Sequence, residues 1–200
     1  MAMTTTTRLE AVNTMLSVIG ESPVNTLSGS RTADAVIAEM VLDEMIREVE
    51  TKGWHFNTER DVELVPDTDN RINLGANFVR VDLEAENAGT KDVVQRGSLL
   101  YDKKERSYDF TATLKATVVY LLDWDDIPQS AKRYILIRAA RVFQDRMVGS
   151  EKHHRFTKMD EMEALIDLKE FEGDTADYSI FDNWSVYRIV NRADILRRMS

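Results

Sequence analysis

Residues 11–27, AVNTMLSVIGESPVNTL, predict a short helix that ends abruptly and turns. Gly20 stands where a helix C-terminus favours glycine, because glycine adopts the left-handed conformation without a clash of its Cβ. Pro23 then prevents the helix from continuing, since its ring fixes the backbone and removes a hydrogen-bond donor. Apolar residues recur at spacings of three and four and therefore share one helix face: Leu9, Val12, Leu16 and Ile19.

A second helix is predicted from Thr32 to Lys52, and it ends at Gly53. Apolar residues cover so much of its circumference that we expect it to be buried between other helices. The main apolar stripe consists of Ala35, Ala38, Leu42, Met45 and Val49, widened by Val36, Ile37, Met40, Val41 and Ile46. The side predicted to face water consists of Glu39, Asp43, Arg47 and Glu50.

Residues 54–122 change to a period of two, which is typical of strands. Trp54 and Phe56 alternate with polar neighbours, and Arg96-Gly97 predicts the turn of a hairpin. Strands are predicted near 54–58, 62–64, 72–74, 78–83, 93–95, 99–101 and 111–122. The whole segment therefore predicts an antiparallel, mostly β insertion in a helical protein.

Helices return at Pro128, a residue suited to the first helical position. Asp125 and Asp126 precede it, where negative charge favours the positive end of a helix. The third helix is predicted to end at Gly149, and a fourth to span 155–171. The residues predicted to face inward are Ala131, Ile135, Ala139, Phe143 and Met147, then Phe156, Met159, Met162, Ile166 and Leu168.

This order of elements predicts an α+β fold with a four-helix bundle as its body. An antiparallel β insertion lies between helices two and three, and a C-terminal tail follows the bundle. The predicted units are a first helical pair (1–53), the insertion (54–122), a second helical pair (123–178) and a docking tail (179–200). We expect the insertion to lean out from the bundle and contact a neighbouring copy.

The net charge, the cysteine content and the distribution of apolar residues exclude several classes of function. The 200 residues carry a net charge of −9 and no cysteine. A protein that grips duplex DNA needs clustered lysine and arginine, so the charge argues against that function. The lack of cysteine excludes a disulfide framework and a thiolate metal site. No apolar run reaches the length of a membrane span, residues 1–7 lack a signal-peptide core, and no nucleotide-binding motif predicts a cofactor.

Asp123, Asp125 and Asp126 are the strongest candidates for catalysis. A glycoside hydrolase needs two carboxylates across the scissile bond, so a tail-borne polysaccharide hydrolase is the alternative to a structural function. The plainer interpretation is that these acids cap a helix. The aromatic residues that would stack on a sugar are by default core or interface anchors: Trp54, Phe56, Trp124 and Trp184.

The histidines do not predict a metal site. His153 and His154 are adjacent, so on a helix their side chains diverge and cannot chelate one ion from one face. His55 is interpreted as a packed or exposed strand residue. No catalytic, cofactor-binding or metal-binding residue is therefore predicted.

The tail from Trp184 to Ser200 is basic against an acidic body. Its apolar residues have helical spacing, which predicts an arm that docks on an acidic surface of a neighbouring copy. A frayed terminus is the other interpretation. The residues predicted to bind a partner are Trp184, Arg188, Arg192, Arg197 and Arg198 in the tail, with Arg138 and Arg141 in the third helix.

Residues 11–27 resemble the N-terminal motif of the tail tubular protein A family, the head-to-tail adaptors of short-tailed bacteriophages. The resemblance extends to about Gly149. It also takes in Gly53-Trp54, Phe56-Asn57, Pro66-Asp67, Arg96-Gly97, Tyr101-Asp102, Pro128, Ala139, Arg141, Phe143, Arg146 and Gly149. The residues assigned structural roles are Gly20, Pro23, Gly53, Trp54, Phe56, Pro128 and Gly149.

The resemblance implies a virion structural protein rather than an enzyme. Twelve copies would form a ring, a gatekeeper and head-tail connector between the portal and a nozzle of tail tubular protein B-like subunits. DNA would pass through the ring during ejection, no membrane would be involved, and assembly would take place in the bacterial host cytoplasm. A soluble regulatory binding module, monomeric or dimeric at all concentrations, is a third interpretation.

Overall fold

The computed structural model describes residues 4–29, 32–84, 91–149 and 151–175, with side chains in the last helix described from Lys158 onward. The helices and antiparallel strands of this part of the chain confirm the predicted α+β class. They are α1 (Arg8–Val18), α2 (Ala33–Glu50), β1 (Thr58–Leu64), β2 (Phe78–Leu83), β3 (Val93–Arg96), β4 (Leu99–Asp102), β5 (Leu114–Tyr120), α3 (Gln129–Met147) and α4 (Glu151–Thr175).

The predicted stop after α1 is confirmed. Gly20 has a φ of +81°, the left-handed conformation that glycine favours. Its N–H donates to the carbonyl of Ser17 at 3.1 Å, and the N–H of Glu21 donates to Leu16 at 3.0 Å, which together form a Schellman motif. These bonds satisfy carbonyls that the end of a helix otherwise leaves unpaired.

The link that follows Pro23 is tied back to α1 by one side chain. The Asn13 amide accepts from the N–H of Val24 at 2.8 Å and donates to the carbonyl of the same residue at 3.0 Å. Both bonds span eleven positions of sequence, so Pro23 and its neighbours follow a defined path out of the helix.

One hydrophobic core joins α1, α2 and α3, and α4 packs on α3. The main predicted stripe of α2 is fully buried, from Ala35 to Val49. The prediction that Val36, Ile37 and Met40 widen the buried stripe was wrong, because these side chains face solvent. They are not part of the helical core, so the subunit's own core does not use them.

A second hydrophobic core belongs to the strands. β5 is central in a three-stranded antiparallel sheet of order β1-β5-β2, and β3 and β4 form a separate hairpin. A register shift in β1 includes Asp61 at a φ of +56°, so this edge strand carries a bulge that disrupts its free edge. The buried residues are Leu64, Ile72, Leu74, Val81, Leu100, Phe110, Leu114, Ala116 and Val118.

Buried polar groups join the two cores where the chain leaves α2 and where it returns from β5. The Asn57 amide donates to the carbonyls of Glu50 at 2.9 Å and Tyr120 at 2.7 Å, and it accepts from the N–H of Trp54 at 2.8 Å. The Glu50 carboxyl accepts from the N–H of Leu122 at 3.2 Å. We call Glu50 and Asn57, with these partners, the junction.

Two predictions about the junction were wrong. Residues 55–57 form a 3-10 helix rather than a strand, because Asn57 closes the turn onto the N–H of Trp54. Glu50 does not face water but is fully buried. Burial raises the pKa of its carboxyl to about 7; the hydrogen bond from Leu122 opposes this rise, and the negative charge of Asp123 adds to it.

The start of α3 also differs from the prediction. Pro128 occupies the N-cap position with extended backbone angles, and the helix proper begins at Gln129. Asp125 and Asp126 precede the helix, as predicted, and form part of a second 3-10 helix, Trp124–Asp126. The predicted stop at Gly149 is confirmed, since this residue has a φ of +65° and its N–H donates to Gln144 at 3.3 Å.

The inward face of α4 was predicted correctly at Leu168 but incorrectly at three other positions. Met159, Met162 and Ile166 are exposed by 70%, 59% and 54%, and Met147 of α3 is also exposed. Phe156 lies outside the described side chains. The helix continues past Gly173 to Thr175. Leu168 is buried as predicted, and the other buried residues of α4 are Glu161, Ala164 and Glu172.

Candidate partner-binding surfaces

Arg138 and Arg141 fasten α4 to α3. Both guanidinium groups bind the carboxylate of Glu161, Arg138 at 2.5 Å. Arg138 also pairs with Glu48 of α2, and Arg141 with Asp145 at 3.2 Å. Three helices therefore meet at one cluster of charges, which explains why a glutamate faces inward on α4.

Glu161 is mostly buried and remains ionised. Burial alone would raise the pKa of this carboxyl, but the hydrogen bonds and positive charges of Arg141 and Arg138 outweigh it and hold the pKa below its usual value. Side chains of the two arginines are only 18% and 20% exposed. Both arginines are thus engaged within the subunit, and their binding to a partner stays a prediction.

A groove of about 380 Å³ runs beside this charge cluster between α3 and α4. Arg138 and Arg141 form one wall of the groove, and Met162 and Leu165 contribute apolar surface from α4. The groove therefore combines charged groups with apolar side chains, a composition that suits contact with another polypeptide.

We define the α4 stripe as Met159, Met162 and Ile166, three large apolar side chains that are each more than half exposed. At 100° per residue they fall on one line of the helix, on the side away from Ala164 and Leu168. A row of carboxylates runs alongside the stripe at the same helical spacing: Asp160, Glu163, Asp167, Glu170 and Asp174. The outer side of α4 is therefore apolar with an acidic edge, and Lys158 and Lys169 lie along the opposite edge of the stripe.

We define the α2 stripe as Val36, Ile37 and Met40, exposed by 36%, 37% and 64%. A groove of about 400 Å³ lies beside Ile37 and Met40, and Arg146 of α3 forms part of its wall. Arg146 binds Glu44 with both guanidinium nitrogens, at 2.7 and 2.9 Å, which fixes the end of α3 against α2. The subunit thus presents apolar stripes on two different helices.

The three carboxylates considered for catalysis lie where the N-terminus crosses α3. The Trp124 indole between them is buried and donates to the carbonyl of Thr6 at 2.9 Å. Lys132 is also buried, and its ammonium donates to the backbone carbonyl of Asp125 at 3.2 Å. These contacts give residues 123–126 a structural use, which is to join α3 to the N-terminal segment.

The other predicted structural residues lie at changes of chain direction. Gly53 has a φ of +75° and leads from α2 into the junction, and the Trp54 indole donates to the carbonyl of Val49 at 2.8 Å. Phe56 packs partly buried against the helical core. His55, predicted as a strand residue, lies in the first 3-10 helix, and its N–H donates to the carboxylate of Glu172 in α4 at 2.5 Å.

The tail residues predicted to bind a partner lie outside the described residues: Trp184, Arg188, Arg192, Arg197 and Arg198. His153 and His154 fall in α4, ahead of its described side chains. In the part of the chain that the structure describes, no group of three or more acidic, histidine or cysteine side chains is placed to hold a metal ion. None of the described helices combines the length and apolar character of a membrane span.

Comparison with known proteins identifies the family. The model of the family described as "Tail tubular protein" matches residues 9–178, from the first turn of α1 to just beyond α4. The chain belongs to the tail tubular protein family. Tail tubular protein A of Klebsiella phage KP34 is 28% identical over 166 residues, which cover 81% of this chain and 85% of that protein. The predicted resemblance is therefore confirmed.

Membership in the tail tubular protein family places the chain among the structural proteins of bacteriophage tails. The family match includes both stripes, the arginine cluster and the junction, and it ends before the basic tail at Trp184. Sequence reasoning missed Glu50 and Glu161, because each depends on a partner from a distant element. A glutamate on the apolar side of a helix was the available signal at Glu161.

Proposed function

We propose that this tail tubular protein is a head-to-tail adaptor, a gatekeeper whose copies form a ring between the portal and the tail nozzle. Each copy contributes its helical body to the ring, with the β insertion between helices two and three attached at the junction. The proposal keeps the predicted division of the chain at residues 53, 122 and 178. Twelve copies is the number that the family resemblance implies.

The observation that carries the proposal is the pair of apolar stripes on two different helices. A ring needs two unlike surfaces on each subunit, because identical copies must pack head to tail until the rotation closes. The α2 and α4 stripes expose six large apolar side chains that the subunit's own cores leave uncovered. Uncovered apolar surface of this kind typically marks an interface.

The net charge suits a ring that DNA traverses. At −9 per copy, twelve copies would carry a charge on the order of −100. Where that charge lines the channel, it repels the phosphate backbone, so DNA passes during ejection without adhering. A channel lining with net positive charge, seen by electron cryomicroscopy of the ring, would exclude this part of the proposal.

The test is to mix the purified chain with the cognate portal and to measure particle mass by mass photometry. We expect a particle heavier than the portal by several copies of the chain. Met40→Glu, which places a charge in the α2 stripe, should weaken that assembly. Val65→Glu is the matched control, because Val65 is equally exposed, at 63%, but lies outside both stripes.

Two results would contradict the proposed function. One is a chain that stays monomeric or dimeric at all concentrations with the portal present, as a regulatory binding module would. The other is release of reducing sugar from host polysaccharide that Asp125→Asn or Asp126→Asn abolishes while the circular dichroism spectrum is unchanged. The second result would make the chain a glycoside hydrolase.

A further inference from the structure

We infer that the C-terminal segment of one copy, residues 184–200, packs on the α4 stripe of a neighbouring copy. The inference rests on the proposed ring assembly and gives it a specific subunit contact. Its receptor is Met159, Met162 and Ile166 with the row of carboxylates alongside. Its ligand is the basic, apolar segment that begins at Trp184.

The receptor cannot be covered by a simple rotation of α4 within its own subunit. Arg138 and Arg141 hold Glu161 on the inward side, and Ala164 and Leu168 are buried against α3. Turning the stripe inward would break this ion-pair cluster and leave buried charges without partners, which is strongly unfavourable. The stripe, about 10 Å long from its first to its last residue, is therefore available to a partner from outside the subunit.

The ligand segment has matching chemistry. Its apolar residues recur at spacings of three and four, from Val186 to Leu196. The residues in that pattern are Val186, Ile189, Val190, Ala193 and Leu196, and the segment carries four arginines against one acid, Asp194. A continuous apolar pattern of this length is long enough to cover the α4 stripe.

The opposite charges of the tail segment and of α4 favour their association. Asp160, Glu163 and Asp167 lie beside the stripe, with Glu170 and Asp174 continuing the row, and the receptor helix is acidic overall. Complementary charge steers two surfaces together and raises the association rate, whereas the apolar contact supplies most of the residence time. The contact should therefore form more slowly at high ionic strength.

Register favours a neighbouring copy over the chain's own tail. Only eight residues, 176–183, separate the end of α4 from Trp184. A direct antiparallel fold-back with the helical spacing of the tail would place Val186 and Val190 opposite Gly173 and Lys169, beyond the C-terminal end of the stripe, and only the smaller Ala193 opposite Ile166. It would bring only Ser200, a polar residue, opposite Met159. A tail from another copy has no such restriction.

The absence of cysteine from the sequence makes a disulfide test direct. One chain carries Met162→Cys and a second carries Val190→Cys, and the two full-length proteins are mixed and oxidised. Val65→Cys replaces Met162→Cys in the matched control, because Val65 is also more than half exposed and lies outside both stripes. We expect about tenfold more mixed disulfide with Met162→Cys, a ratio that a modest specific contact supplies.

Three outcomes would overturn the inference. The first is that no mixed disulfide forms at the highest concentration at which the parent chain stays soluble. The second is that Val65→Cys yields as much mixed disulfide as Met162→Cys. The third is that a chain carrying both Met162→Cys and Val190→Cys forms an internal disulfide as a monomer under dilute conditions, while the mixed pair of single variants forms no disulfide.

Failure of the inference and failure of the proposed function give different results. If the parent chain forms a heavier particle with the portal but the Met162→Cys and Val190→Cys pair does not cross-link, the tail contact is wrong and the adaptor function stands. If the pair cross-links and no particle forms with the portal, the contact stands and the adaptor function is wrong.

Discussion

The helical core and the sheet core differ in what they leave exposed. The strands bury most of their large apolar residues in one cluster, with Val94 and, just after β1, Val65 exposed singly, and their free edge is interrupted by the bulge at Asp61. The helices bury a larger cluster but still present two apolar stripes to solvent. We predicted that the insertion would grip the next copy. The exposed apolar surface instead makes the helical part the better candidate for subunit contacts, while the sheet is closer to self-sufficient.

The largest expected effect is the loss of stability when a core side chain is truncated. Making that truncation in each core tests whether the two cores unfold together. Ile135→Ala in the helical core and Leu100→Ala in the sheet core each remove a fully buried side chain, so each should lower the free energy of unfolding by about 2–5 kcal/mol. The measurement is urea denaturation followed by tryptophan fluorescence and by circular dichroism. Met40→Ala, on the exposed α2 stripe, is the control. A second transition in only one variant would show that the cores unfold separately.

The junction should determine whether the cores unfold together. Asn57→Ala leaves the carbonyls of Glu50 and Tyr120 and the N–H of Trp54 without their partner in a buried setting. Unpaired buried groups are costly, so we expect a loss of about 2–4 kcal/mol and a less cooperative unfolding transition. Asn73→Ala is the matched control, because this asparagine bonds Asp67 on an exposed loop. Equal losses in the two variants would contradict a joining role for Asn57.

Local signals in the sequence predicted the turns and most helix boundaries. Gly20, Gly53 and Gly149 mark helix ends because the left-handed conformation depends on the residue itself. The hairpin around Gly97 is similarly local, since the turn fixes how β3 and β4 pair. These features need no information from distant parts of the chain.

Long-range partners decided the features that the sequence did not reveal. On α4 the large apolar residues Met159, Met162 and Ile166 indicated an inward face, yet the smaller Ala164 faces inward. Arginines on α3 choose that face by binding Glu161. Hydrophobic periodicity does not show that ion pairs with another helix stabilise one orientation of α4 more than the burial of three apolar side chains would stabilise the other. The candidate surfaces were therefore hidden until the helices were placed together.

The buried Glu50 should make the junction sensitive to pH. The pKa of its carboxyl rises from 4.5 to about 7 on folding, so the folded chain holds a proton that the unfolded chain loses between these values. Stability should therefore fall as pH rises through this range, by about 2–3 kcal/mol, and stay low above it. Glu50→Gln should remove this slope and stabilise the chain at about pH 8.

Chemical denaturation of the parent and Glu50→Gln chains at about pH 5 and about pH 8 measures that effect. The exposed Glu21 gives a control, since Glu21→Gln should leave the slope unchanged. A Glu50→Gln chain that is less stable than the parent at the higher pH would mean that ionised Glu50 holds the junction together.

The smallest expected effect is that of replacing glycine by alanine at two helix ends. One of these ends faces solvent and the other leads into the junction. Gly20 and Gly53 both have positive φ, so alanine costs about 1 kcal/mol at either site through backbone strain. A Cβ on Gly20 would meet open space. On Gly53 it would approach Arg80 Nη2 to 2.8 Å and Val119 Cγ2 to 3.1 Å, and the buried valine has little room to move. Gly53→Ala should therefore lower the thermal midpoint more than Gly20→Ala, with a free-energy loss of about 2 kcal/mol. Equal midpoints would mean that the contact with β5 relaxes freely, and that the junction is looser than its hydrogen bonds indicate.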